Sequence, residues 1–520
     1  MSRLQATVLF ISICMASVDP ARILGVYFFP SISHQVVFRA LTLELVKRGH
    51  EVVTITSDPV YKNKEPSANL TEIDISDSYQ VLQEMVMDMA PKMRRGVIMD
   101  NNALASSSMI ELIVKLFNYP EIIKLIEDKD QKFDLVIVET LVYSPLIFSN
   151  IFNAPAILFS SLYGTSSSYE AVGGASRHPI LYPSMFRHNF KNLSIIDKIY
   201  ELYVEYKFWK YDQQNEKLDN ELLRSRFGSE APTIAELKKN VVLLLVNSHP
   251  IFDGNRPVPP GTVYLGALHL QPAKELPKDL KTYLDNSTRG VVYVSLGTNV
   301  RPALMEKELL NAFLEAFTKI PYDILWKFDG VDLDTLPKNV KMQKWFPQRD
   351  LLAHPNIKVF VMQGGIQSTD EAIICEVPLV GIPMLADQWF TVNKYEELGI
   401  GVALDSFTLV AGDLVTAVNT VANDASYKEN IKRVKAIIHD QPEKPIDRAV
   451  WWTEHVLRHK GSRHLLGPAA NMSWSEYLML DVIVCLGITL TVLVTLILIS
   501  LSYIVIQVTK GNSSAKLKQH

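Results

Sequence analysis

The sequence predicts an α/β protein: two doubly wound parallel-sheet halves of similar size face each other across a cleft, and one transmembrane helix follows. Three observations carry this expectation. Short apolar runs alternate with helical patterns through both halves, a proline cluster divides them, and 27 residues near the C-terminus hold no charge. Continuous apolar runs mark strands buried on both faces, as parallel sheets require, and strand–helix–strand repeats build such sheets. At 520 residues the chain exceeds the ~100 to 200 usual for one domain.

Taken in order, Met1 to Ser17 places Arg3 ahead of an apolar run from Ala6 to Ala16, with small residues at Ala16 and Ser17. That is the pattern of a cleaved secretory signal peptide. Arg22 to Phe29 (RILGVYFF) reads as a buried strand, Gln35 to Arg48 as a helix stopped by Gly49, and Glu51 to Ser57 as the next strand. Phe133 to Val138 and Ala154 to Ser160 extend the sheet, and Val241 to Asn247 closes the first half. The boundary is marked by Pro250, Pro257, Pro259, Pro260, Pro272 and Pro277. Strands are then expected near Gly290 to Leu296, Asp323 to Phe328, Lys341 to Trp345, Lys358 to Met362 and Pro378 to Pro383.

The uncharged stretch Val482 to Val508 exceeds the ~20 residues that span a bilayer core. Lys510, Lys516 and Lys518 follow it, whereas Gly467 to Asp481 contains no Lys or Arg. The tail is therefore expected in the cytosol and the body in the lumen, a type I topology. The ending Lys516-Leu-Lys518-Gln-His520 resembles a dilysine signal for retention in the endoplasmic reticulum.

Composition narrows the function. With 48% hydrophobic residues, 21% charged residues and a net charge of -4, the chain lacks both the polarity of a disordered protein and the basic excess of a nucleic-acid binder. Cys14 falls in the signal and Cys485 in the membrane span, so Cys375 is alone in the body and no disulfide can form there. Sequons at Asn69, Asn192, Asn286 and Asn471 are glycosylation candidates.

The first strand lacks the G-x-G-x-x-G of a dinucleotide site. A better phosphate cradle is Gln363-Gly364-Gly365-Ile366-Gln367-Ser368-Thr369, where glycines after a strand lead into a helix whose free N–H groups suit a diphosphate. Alone, it is more often the pattern of an ordinary strand-to-helix turn. Its neighbours add weight: Gln367 and Glu371 share a helix face, and a carboxylate there can accept hydrogen bonds from a ribose diol. Trp345-Phe346-Pro347-Gln348 ends a strand and offers an indole to a flat base, and Asp387-Gln388 ends another with groups suited to sugar hydroxyls.

Residues 345 to 388, with Ser295-Leu-Gly-Thr298, His439-Asp-Gln-Pro442 and Asp447-Arg-Ala-Val450, resemble the UDP-glycosyltransferases, specifically the membrane-bound animal enzymes that conjugate small lipophilic molecules. Nearly the whole chain is covered, although 63–131 and 164–238 match only in general character. The resemblance implies a GT-B architecture of two Rossmann-like domains. An acceptor domain (18–250) is joined by a linker (251–280) to a UDP-sugar domain (281–440). Helices at 441–481 return toward the first domain and the membrane, followed by the span (482–508) and tail (509–520).

By the same resemblance, Trp345 stacks on uracil, Gln348 bonds near the base or ribose, and Glu371 holds the ribose hydroxyls. Ser295, Gln363, Gly365, Gln367 and Ser368 surround the diphosphate, with Asp387 and Gln388 on the sugar. Vertebrate and plant members usually carry His where Gln363 stands. The Q-G-G form resembles insect members, which typically use UDP-glucose, so glucose is expected over glucuronic acid.

The family's base falls on His34, just before the first helix, where a helix N-terminus disfavours imidazolium. Its partner is an Asp in related enzymes; here the position holds Glu139, one methylene longer, which either accepts the imidazole N–H or points past it. The expected reaction is a single displacement with inversion at the anomeric carbon, without cofactor or metal. Asp332-Leu-Asp334 has the D-x-D form of metal-dependent transferases, but its polar setting reads as a solvated turn. His455, His459 and His464, among Arg458, Lys460 and Arg463, read as a basic surface rather than a metal site. The alternative function is a lumenal binding protein that has lost turnover. Expected partners are the UDP-sugar, a lipophilic hydroxyl acceptor and the membrane, with a homo-oligomer possible and nucleic acid excluded.

Overall fold

The computed structural model describes residues 19–62, 67–84, 107–174, 177–187, 193–299, 305–330, 333 and 336–517. The signal segment, Asp332, Asp334, Asn192 and Lys518 lie outside them.

Among the described residues, the body contains two parallel sheets. The first comprises β1 (Arg22–Tyr27), β2 (Glu51–Thr56), β3 (Leu70–Asp74), β4 (Leu135–Glu139), β5 (Ala156–Ser160), β6 (Val241–Val246) and β7 (Thr262–Tyr264), in the order β3-β2-β1-β4-β5-β6-β7. The second comprises β8 (Val291–Ser295), β9 (Asp323–Lys327), β10 (Val340–Gln343), β11 (Ile357–Met362), β12 (Leu379–Gly381) and β13 (Gly401–Ala403), in the order β10-β9-β8-β11-β12-β13. Both orders reverse direction beside their first strand, between β1 and β4 and between β8 and β11. A crevice opens there at the carboxyl ends of the strands.

The central strands are apolar throughout because helices cover both faces: β4, β5, β6 and β8 are buried at every residue. Helix Ile32–Lys47 lays Val37, Phe38, Leu41 and Leu45 on the first sheet, each essentially inaccessible and worth about 1.5–3 kcal/mol of apolar burial. Phe38 stacks on Tyr27 at 4.4 Å and meets Phe159 edge-on at 5.0 Å. Gly49, at φ +95°, ends this helix: its N–H bonds Val46 O and that of His50 bonds Leu45 O, closing a left-handed cap. In the second half, Phe313 and Phe317 of helix Lys307–Lys319 pack around Trp326.

Three expectations change. The first sheet does not close at Asn247, since Thr262–Tyr264 adds a seventh strand within the proline-rich stretch, paired to β6. The helix expected from Gln35 starts at Ile32 with Ser31 as N-cap, so His34 lies in its first turn rather than before it. Neither Trp345 nor Asp387 ends a strand: β10 stops at Gln343 and β12 at Gly381, and Asp387 is the N-cap of helix Gln388–Glu397.

After the second sheet, helix Pro445–Arg458 packs on helix Ile32–Lys47, with Ala449, Val450 and Val456 in one core with Val37, Leu41 and Leu45. Arg48 pairs with Asp447 at 3.2 Å. Beyond Pro468 a separate unit carries helix Leu480–Leu517, of which Leu480–Lys510 is long and apolar enough to cross a membrane.

Candidate active site

His34 and Glu139 meet across the β1/β4 crevice. His34 Nδ1 lies 2.9 Å from Glu139 Oε1, and Glu139 Oε2 accepts the Phe29 N–H at 3.0 Å. With both carboxylate oxygens accepting, Nδ1 carries the hydrogen and Nε2 keeps a lone pair. The longer glutamate thus reaches the ring. Burial pushes the Glu139 carboxyl above the usual carboxylate range, opposed by His34 and then by the Phe29 N–H. Gln35 holds the intervening loop: its Nε2 donates to Tyr27 O and Phe29 O, and its Oε1 accepts from Thr56 Oγ1 at 2.8 Å.

His34 lines a cavity of about 380 Å³. On the first-domain side its wall includes Phe29, Val142, Leu162, Met185, Phe186 and Phe208; on the other are Gly297, Thr298, Asn299, Gln363, Gly365, Gln367, Ser368, Asp387 and Gln388. Its cations are paired: Arg177 with Glu170, Glu205 and Asp212, Lys238 with Glu216, and Arg256 with Asp253.

In the second sheet, β11 delivers Gln363 and the helix Ile366–Ile374 opens at Gly365. The first N–H groups of that helix have no intrahelical acceptor and stand at the cavity, an anion site by construction. Gln363 is almost buried, its Oε1 without a hydrogen-bond partner in the protein and its Nε2 against Gly297 and Gly365. Gly297, at φ +83°, holds a backbone conformation that strains any side chain, and a Cβ there would lie 2.2 Å from Gln363 Nε2 and displace that amide. Gly364, at φ +100°, is equally confined by Val392 and Gln388 O.

Gln348 connects the remaining donor candidates. Its Nε2 donates to Ser368 Oγ at 2.8 Å and Glu371 Oε2 at 2.7 Å, and its Oε1 accepts from Tyr293 OH at 3.1 Å. Burial raises the Glu371 carboxyl, with Gln348 opposing. Trp345 presents an indole 59% exposed, with Lys327 Nζ 5.0 Å from the ring centre. Trp345, Gln348 and Glu371 do not line the cavity, and Gln348 joins it through Ser368; an indole face suits a flat base.

Some positions differ from expectation. Ser295 is buried beneath the site, and Gly297 to Asn299 line the cavity in its stead. Gln367 lines the cavity and donates one amide hydrogen to Ser161 O at 3.0 Å, which ties it to the first domain. Gln388 Oε1 accepts the Met384 and Leu385 N–H groups, and the residue lines the cavity. The Asp387 carboxyl is pushed up to about 6, chiefly by desolvation, with His34 opposing.

Sequence reasoning missed Lys327, which donates to Gly297 O at 2.6 Å, and Asn299, whose Nδ2 donates to Ser31 Oγ at 3.2 Å across the cleft. A lysine ending the apolar strand DILWK was a usable signal; Asn299 offered none. Among the described residues no group of three His, Cys, Asp or Glu could hold a metal ion. The rings of His455, His459 and His464 do adjoin, at 4.4 and 5.7 Å from His455.

A site of this construction, with a His–carboxylate pair facing an anion-binding helix start across two Rossmann-like domains, defines a nucleotide-sugar transferase. The chain belongs to the UDP-glucoronosyl and UDP-glucosyl transferase family, whose model matches residues 26–516. It is 39% identical over 486 residues to the ecdysteroid UDP-glucosyltransferase of Spodoptera littoralis nuclear polyhedrosis virus, covering 90% of this chain and 94% of the relative. UDP-glucuronosyltransferase 2B15 of Homo sapiens is 32% identical, with 87% of each chain covered. Among solved structures, a UDP-glucose: anthocyanidin 3-O-glucosyltransferase in complex with UDP superposes with a TM-score of 0.57 at 16% identity, over 85% of this chain and all of that one. The fold is GT-B and the protein is a UDP-glycosyltransferase.

Two outcomes are expected. Glu139→Gln offers one acceptor to two N–H groups, so kcat should fall at least about tenfold with the UDP-glucose KM nearly unchanged; Glu139→Asp should retain measurable activity. Unchanged turnover in the Gln variant would separate this carboxylate from catalysis. Gly297→Ala should weaken UDP binding about tenfold or more by calorimetric titration, since the loop must leave both its φ and its contact with Gln363. Wild-type affinity would show that the loop is not part of the donor site.

Proposed function

We propose that this enzyme transfers glucose from UDP-glucose to a hydroxyl of a small lipophilic acceptor, with inversion at the anomeric carbon. The observation that carries this reading is the His34–Glu139 pair, 2.9 Å apart, of which His34 lines a cavity whose far side is the start of helix Ile366–Ile374. His34 Nε2 takes the acceptor proton as the oxygen attacks the anomeric carbon and UDP leaves. Glu139 fixes the tautomer and stabilises the imidazolium formed on the way. Attack opposite the leaving group turns an α-linked donor into a β-glycoside.

Charge favours glucose. Asp387 stands at the sugar end and the cavity's cations are already paired, so a glucuronate carboxylate would meet repulsion without compensation. Gln363 is neutral and adds no attraction. The apolar first-domain wall suits a lipophilic acceptor, and the viral relative's name makes an ecdysteroid one member of the panel to try. The helix N–H groups and Gln363 meet the diphosphate charge, and the reaction runs without metal or cofactor. The body lies in the lumen of the endoplasmic reticulum, anchored by Leu480–Lys510, with the basic tail cytosolic and the role one of conjugation and detoxification.

UDP-glucose should exceed UDP-glucuronic acid in kcat/KM by at least about tenfold, the effect of one uncompensated charge contact, and chelator should not change the rate. A preference for the acid, or a requirement for added Mn²⁺, would overturn the respective statement. Asp387 accepts sugar hydroxyls as a carboxylate, so kcat/KM for the donor should fall as pH drops through about 6. Asp387→Asn should lower the value at neutral pH and remove that limb; an identical limb in the variant assigns the titration to another group.

A further inference from the structure

Helix Ile195–Phe227 has two faces of opposite character. One lines the acceptor side of the cavity with Phe208, Tyr211, Asp212 and Asn215. The other, over the first three turns, exposes Ile195, Ile196, Ile199, Tyr200, Leu202, Tyr203 and Tyr206, each more than half accessible. At 100° per residue these seven occupy an arc of roughly 160°. Contiguous apolar surface of this size on a protein otherwise well packed marks an interaction site.

The placement of charge specifies the partner. Every acid of this stretch is engaged: Asp197 accepts the Ser194 N–H in a capping box, Glu201 is buried with Arg187 at 3.2 Å, and Glu205 pairs with Arg177 at 3.3 Å. The fully exposed cations from Ser194 to Lys210 are Lys198 and Lys210, Lys207 Nζ lies over the Tyr203 ring at 5.5 Å, and Asp197 stays at the surface as a carboxylate outside the apolar arc. An apolar face with Tyr and Lys about it, and with no acid inside its arc, fits the headgroup boundary of an anionic bilayer. The same chain carries a helix able to cross a membrane, which tethers the body near such a surface.

We propose that Ile195–Tyr206 lies in the interface of the membrane and opens the cavity to acceptors dissolved in the bilayer. The entry role rests on the acceptor class proposed above; lipid contact does not. Full-length protein in phosphatidylcholine vesicles, with and without phosphatidylserine, is irradiated with an acyl-chain photoreactive phosphatidylcholine and its peptides mapped. Adducts are expected in 195–206, more with phosphatidylserine, and none in the exposed helix Ala425–His439. Combined Ile195→Glu, Ile199→Glu and Leu202→Glu, all surface positions, should lower the adducts about tenfold or more. The apparent KM for a bilayer-dissolved acceptor should rise in this variant, while those for UDP-glucose and a water-soluble acceptor stay unchanged. Absence of adducts in 195–206, or cross-links between two copies through this segment that vanish on dilution, would overturn lipid contact whether or not the enzyme turns over. Adducts with an unchanged acceptor KM would overturn the entry role alone.

Discussion

Reversal of strand order beside the first strand of each sheet is the constraint on which the site depends. Chain leaving β1 and chain leaving β4 pass to opposite faces, so their carboxyl ends stand apart and a side chain from each can meet in the gap. His34 and Glu139 are those side chains. The same reversal between β8 and β11 exposes the Gly297 loop and the helix start at Gly365. Two copies of one topological device thus supply a proton acceptor and an anion site facing a common cavity.

The two halves must stay in register for those groups to act together, and both apolar and polar contacts hold them: Leu162, Tyr163, Met185 and Phe252 share a buried core with Phe390 and Val392, and hydrogen bonds cross the cleft. Asn299 reaches Ser31, the N-cap of the helix that carries His34. Gln367 reaches Ser161, and Tyr163 OH meets Thr391 Oγ1 at 3.1 Å. Each such bond is worth about 1 kcal/mol net, and the Tyr163 ring packs edge-on against Phe390 at 4.9 Å beside them. Helix Pro445–Arg458 adds apolar packing on helix Ile32–Lys47, a larger restraint placed away from the cleft.

Much of this was legible in the sequence where burial on both faces enforces an unbroken apolar run, as in Ile23 to Phe29, Val241 to Val246 and Val359 to Met362. Three of the four edge strands escaped, β10 being the exception. Leu70–Asp74 alternates with polar residues, Thr262–Tyr264 follows prolines, and Gly401–Ala403 is three residues long, so none carries the signal of a central strand. Polar Ser31 and Ser33 made the start of the first helix look like loop. Glu139 could be located by counting, but whether the additional methylene reaches the ring depends on the crevice width, which no local pattern encodes. Side chains tied to distant partners were beyond sequence reasoning altogether: Asn299 and Ser31 are 268 positions apart.

The central claim is that His34 and Glu139 act as one unit, and a double-mutant cycle on kcat tests it most directly. His34→Ala, Glu139→Gln and the combined variant are compared with the unsubstituted enzyme. If Glu139 acts through the imidazole, adding Glu139→Gln to His34→Ala costs little or nothing further, and the coupling energy approaches the full effect of Glu139→Gln alone. Losses that add within about 0.5 kcal/mol would show two independent contributions and contradict the pairing as the basis of catalysis.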